Sequence, residues 1–256
     1  MSSRTRIKNG STIRHKISFF FELFTKLDKK IKAEYPDAYN SFNHFRGAII
    51  LKMQLLELIK YRYMDSQALV NDCFKEFARN KVAYTTSADP EILKRASEFS
   101  ERFRFARGLL KVDIESFLVF SMVVLDYIPW MLEPFLKGVV TLQTPATNSF
   151  RRFCEWFRDN PKLVKDREFS EFLLSFYGWF MTNLRNPRND LVIHLNRKYT
   201  MDKFSADGKI LRMKHSPWAG SRGEPEGEFE LISPVELFDH IYEFLIQLES
   251  HFVKLL

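Results

Sequence analysis

The stretch Asp166-Arg-Glu-Phe-Ser-Glu-Phe-Leu-Leu-Ser-Phe-Tyr-Gly-Trp-Phe-Met-Thr-Asn-Leu184 decides the fold class. Its residues Phe169, Phe172, Leu173, Phe176, Trp179 and Phe180 recur at steps of three and four, which gives a helix one apolar, inward-facing side. The same spacing runs along most of the chain. Ile17, Phe20, Phe21, Leu23, Phe24, Leu27 and Ile31 predict a first helix that stops near Pro36. Ile49, Met53, Leu56 and Ile59 stripe a second over residues 38–63, and residues 67–82 predict a third. Asp89 caps a fourth that opens on Pro90 and carries Phe99, Phe103 and Phe105 to about residue 110. Residues 114–135 and 149–158 predict two more, and Ser233-Pro-Val-Glu236 combines a capping box with a first-turn proline for a last helix ending at Leu256.

Between Tyr199 and Ser233 the pattern changes. Asp207-Gly208 lies between alternating segments, a hairpin signal, and Glu228-Phe-Glu-Leu-Ile232 alternates as well. The expected fold is therefore all-α: an up-and-down helical bundle with a small antiparallel β insertion at about 200–232, before the C-terminal helix. Residues 1–16 are expected to be a basic flexible tail, 17–90 N-terminal helices packing on the bundle, and 91–256 the main helical domain. No repeat of fixed period indicates a solenoid.

Composition agrees with a helical core. Only 9 Gly and 10 Pro in 256 residues leave little of the turn punctuation an all-β chain needs, and 26 Phe supply apolar bulk. The net charge of +7 permits polyanion binding without demonstrating it. Arg4, Arg6, Lys8, Arg14 and Lys16 precede any acid, as a tail adding affinity for a polyanion would. Lys26, Asp28, Lys29 and Lys30 break any signal-peptide layout, and the apolar run from Phe117 to Leu125 is about half a membrane span before Asp126 ends it. Cys73 and Cys154 are too few for a disulfide framework or a cysteine metal site. A soluble cytoplasmic chain without membrane span is expected, and with no HExxH, Gly-rich phosphate loop or paired-cysteine motif, no metal or cofactor is expected.

Polar chemistry concentrates immediately after the opening stretch, in Asn186-Pro-Arg188-Asn189-Asp190-Leu-Val-Ile-His194. Pro187 is disfavoured inside a helix, so the preceding helix is expected to kink or end near Arg185, with Asn186 capping a new one. Arg188 and Asn189 would then lie in a first turn whose free N–H groups favour an anion, with Arg188 as a forked donor. His194 lies about 9 Å further along a regular helix, rotated by roughly 120°. Asp190, four residues before His194, shares its face and could orient the imidazole.

This Arg188-Asn189…His194 spacing resembles the signature of the HEPN superfamily: an Arg, usually followed by Asn, then a His after four to six residues. Arg79-Asn80 and Arg185-Asn186 have no His at that distance. Pro187 and the insertion after the motif depart from the family pattern. The resemblance implies a helical bundle over about residues 95–256 that forms a homodimer, bringing two motif copies into one cleft. Many members are metal-independent ribonucleases. Carried over, Arg188 would neutralise the scissile phosphate and His194 would transfer protons during 2′-hydroxyl attack. Asn189, Asp190 and Arg185 would support the site or bind phosphate. The expected function is thus an endoribonuclease of toxin or defence type, with RNA and an antitoxin or regulatory protein as partners. The alternative is a non-catalytic helical dimer that binds RNA or a regulatory protein.

Overall fold

The computed structural model describes residues 20–138, 140, 145, 148–189, 200–204, 211–214, 228–230 and 233–256; for Lys137, Gly138, Leu255 and the three segments between 200 and 230 it describes the backbone alone. A 3-10 turn at Phe20–Glu22 leads into α1 (Thr25–Glu34), α2 (Pro36–Thr86) and α3 (Pro90–Leu132). After a second 3-10 turn come α4 (Phe150–Asp159), α5 (Arg167–Phe180), a π-helical turn (Met181–Arg185), α6 (Asn186–Arg188) and α7 (Pro234–Leu255).

The first correction to the expected bundle is that four expected helices are two. α2 has 51 residues and α3 has 43, so they run about 76 Å and 64 Å. Each expected break, near Met64–Ser66 and near Lys111–Asp113, holds a buried polar residue, Ser66 and Asp113, and the two meet across the helix pair. Asp113, fully buried, pairs with the Arg62 guanidinium and accepts a hydrogen bond from Ser66 Oγ at 3.0 Å. Their polarity serves a cross-helix contact, not a turn. The break at Ser87–Asp89 is real: Asp89 accepts from the Glu91 amide at 2.8 Å, with Pro90 at the first helical position.

The second correction concerns the β insertion. The fold is all-α, and the expected insertion is not a component of it. The backbone shows short antiparallel ladders at β1 (Thr200–Phe204), β2 (Leu211–Lys214) and β3 (Glu228–Glu230), with the register shifting between Thr200 and Lys203. Ladders of three to five residues make a stable layer only when an apolar face packs on something else. The core of the described side chains is helical in all but a few connecting residues. Alternating sequence and a hairpin turn are not enough to create a β layer.

The core is one continuous cluster from Phe20 to Phe252, dominated by phenylalanine. Phe150 meets Phe176, Phe180 and Phe244 edge-on at 5.2–5.8 Å, and Phe157 meets Phe169 at 5.8 Å, geometry that suits the ring quadrupoles. Between Phe74 and Phe105 no residue is buried, so the far ends of α2 and α3 form a two-helix arm. Phe74, Phe77, Phe99 and Phe103 hold that arm, with Phe77 stacked on Phe99 at 5.7 Å.

One strained residue anchors the N-terminal side. Phe24 adopts φ 60°, left-handed backbone that costs a non-glycine residue on the order of 1 kcal/mol, while its ring is fully buried. The turn it makes frees the first amides of α1. Glu249, from α7, accepts from the Lys26 amide at 2.7 Å and the Leu27 amide at 3.2 Å, capping α1 from the opposite end of the chain.

Candidate functional site

Pro187 sets the local geometry of the motif. It has no N–H to donate, and its ring clashes with the carbonyl four residues back. The chain widens instead of ending: Met181–Arg185 form a π-helical turn, and the Asn186 N–H reaches the Met181 carbonyl five residues earlier. Thr182 Oγ1 bonds the Gly178 carbonyl at 3.2 Å and Asn183 Nδ2 the Trp179 carbonyl at 2.9 Å, occupying acceptors beside the widened turn.

This corrects the expectation that Asn186 caps a new helix. Arg185, Asn186 and Asn189 all have right-handed helical dihedrals, and the Asn186 amide is already bonded. The helical backbone continues from Arg185 to Asn189, so Asn186 does not open a fresh first turn there.

Arg188 is half-buried. Its Nη1 donates to Asn189 Oδ1 at 3.0 Å, so the adjacent Asn orients the guanidinium directly. Its Nε is shielded from solvent and has no hydrogen-bond partner among the described residues. Arg185 and Asn189 are also half-buried. His194 and Asp190 lie outside the described residues.

A residue the motif did not indicate stands beside Arg188. Asp126, on α3, accepts from the Phe150 amide at 2.8 Å and so caps the start of α4. Burial pushes its carboxyl above the usual carboxylate range; the Phe150 hydrogen bond and the positive charge of Arg188 pull it partly back. The only sequence signal was an acid closing the apolar run that ends at Leu125. Asp126 thus ties α3 to the start of α4, within range of the Arg188 charge.

Other histidines are placed elsewhere. His44 is exposed on α2 and meets Phe45 edge-on at 5.1 Å. His240 stacks on Trp179 at 4.0 Å and His251 on Phe172 at 4.4 Å, so both belong to an aromatic row between α5 and α7. His215 and Trp218 lie outside the described residues. Among the described residues no cluster of His, Cys, Asp and Glu could hold a metal ion, and no helix is long and apolar enough to cross a membrane.

Compared with family models, with curated proteins and with solved structures, the chain matches none.

Proposed function

We propose that the chain is a metal-independent endoribonuclease of HEPN type, acting as a homodimer, with Arg188 holding the scissile phosphate and His194 moving protons. The observation that carries this reading is the state of Arg188: the side chain is half-buried and its Nη1 is fixed by Asn189. A forked cation held by its neighbour is what an oxyanion needs. Dependence on the 2′-hydroxyl would make the substrate RNA rather than DNA. A toxin or defence role, with an antitoxin or regulatory protein as partner, belongs to the same reading.

Asp126 favours a second reading. An arginine beside a half-buried carboxylate also serves as its counter-charge, leaving a bundle that binds RNA or a protein without cutting. Cleavage of single-stranded RNA in EDTA separates the two. The first reading expects cutting that Arg188→Lys and His194→Ala each reduce by at least about 100-fold, with helical circular dichroism unchanged. Binding without any cutting at high protein concentration supports the second and removes the first.

A further inference from the structure

The arm made by the far ends of α2 and α3 sorts its charges by side. Its seam holds half-buried Phe77, Asn80 and Tyr84 of α2 and Phe99 and Phe103 of α3. Along one edge of that seam, at steps of three and four, run Phe74, Ala78, Lys81 and Thr85 on α2 and Ser97, Ser100, Arg104 and Arg107 on α3. Glu76 and Arg102 pair across the opposite edge, which leaves these two stripes side by side. Neither stripe contains an acid. Asp72, Glu76, Glu91, Glu98 and Glu101 fall elsewhere around the two helices, and the first three of them pair with Lys75, Arg102 and Arg95 in turn. Lys81 and Arg104 are exposed and make no ion pair among the described residues. Beside them Phe74 is 37% exposed while touching Phe103 edge-on at 5.3 Å, and the Arg107 guanidinium lies over the Phe103 ring at 5.6 Å.

We propose that this side of the arm is a binding site for a nucleic-acid single strand, with a base stacked on Phe74 and backbone phosphates meeting Arg104 and Lys81. An exposed ring beside unpaired cations, on a surface without acids, is the combination that holds single strands: the ring takes the face of any base and the cations follow the backbone. Phe74 touches the sequence neighbour of Arg104, and Lys81 lies two turns further along α2, about 10 Å away. The site therefore takes a few nucleotides. A duplex does not fit it, because paired bases stay stacked on one another and offer Phe74 no ring face. An acidic peptide would meet the cations and leave the ring unused. Neither contact reads a 2′-hydroxyl, so ribo and 2′-deoxy strands bind alike. The arm is a different element from the motif helix; only the identity of the natural strand as RNA rests on the ribonuclease reading.

Fluorescence anisotropy of a labelled 2′-deoxy single strand of about 16 nucleotides tests it on the full chain. Phe74→Leu keeps apolar bulk against Phe103 and removes the stacking face, and is expected to raise the dissociation constant about 10-fold. Lys81→Gln/Arg104→Gln should reduce the slope of log affinity against log salt by about 1.4, two phosphate contacts at about 0.7 each. Arg79→Gln/Lys94→Gln removes two cations that are likewise exposed and without an ion pair among the described residues, but lie off these stripes, and should leave the slope unchanged. Unchanged helical circular dichroism checks that each variant folds. Equal slope changes in the two charge variants would mean attraction by net charge alone and would overturn the site. An unmoved dissociation constant in Phe74→Leu, tighter binding of a duplex or of polyglutamate, or no binding at low salt would overturn it too. A strand bound as expected while RNA stays uncut supports the arm and removes the ribonuclease; RNA cut by a chain whose arm variants bind the strand as the native chain does has the reverse meaning.

Discussion

Arg62→Ala should be among the most damaging single substitutions outside the aromatic core, although Arg62 itself is half exposed. The reason is what remains behind. Asp113 is fully buried, and its described side-chain partners are the Arg62 guanidinium and Ser66 Oγ. Removing the arginine strands a carboxylate with one neutral donor, and breaking a buried pair in this way typically costs about 3–5 kcal/mol. The reverse change, Asp113→Ala, lets Arg62 turn to solvent and strands only the Ser66 hydroxyl, so it should cost less, about 2 kcal/mol. The double variant should then be more stable than Arg62→Ala alone, because no buried charge is left. Urea unfolding followed at 222 nm gives all four stabilities for a double-mutant cycle. The reasoning fails if Arg62→Ala costs no more than Asp113→Ala, or if the double variant is the least stable of the three.

Three further outcomes are expected. Glu249→Ala should lower stability by about 1–2 kcal/mol, because the Lys26 and Leu27 amides lose their cap; amide exchange at the start of α1 should quicken, and unchanged exchange would refute the capping role. Burial first, then the charge of Glu236, pushes the Tyr63 phenol up to about 12. Its neutral form therefore contributes stability that is complete below pH 10 and lost as pH rises from 10 through about 12, on the order of 2 kcal/mol. Urea midpoints at pH 9 and 11.5 should fall further for the native chain than for Tyr63→Phe, and parallel falls would argue against it. Gly178→Ala should stabilise by up to about 1 kcal/mol, since the helical glycine is exposed and its added Cβ meets nothing within 4 Å; a lower melting temperature would show that the neighbouring π-helical turn needs the glycine.

Much of the helical architecture was legible in local sequence. The three- and four-residue spacing of Phe169, Phe172, Leu173, Phe176 and Phe180 is the face α5 turns inward, and the caps at Asp89 and Ser233 lie where their side chains predict. Helix continuity was not legible. Ser66 and Asp113 look like breakers in one dimension, and become interior polar contacts only when α2 folds back on α3, with Arg62 51 positions from its partner. The Glu249 cap is less accessible still, because it joins residues 223 positions apart. At the motif, Pro187 correctly predicted a disturbance but not its form. A proline can be absorbed by widening one turn, which keeps the helical backbone running without opening a fresh first turn. Asn189 was legible as Arg188's companion; Asp126 was not, because it reaches the motif from another helix.

The most direct test of the proposed function is the chemistry of cut RNA ends. Incubation of a single-stranded RNA with the purified chain in EDTA should yield fragments carrying a 2′,3′-cyclic phosphate and a 5′-hydroxyl, and a substrate lacking 2′-hydroxyls should stay intact. Fragments ending in a 3′-hydroxyl, cutting of the 2′-deoxy substrate, or no cut strand at any protein concentration would contradict the account.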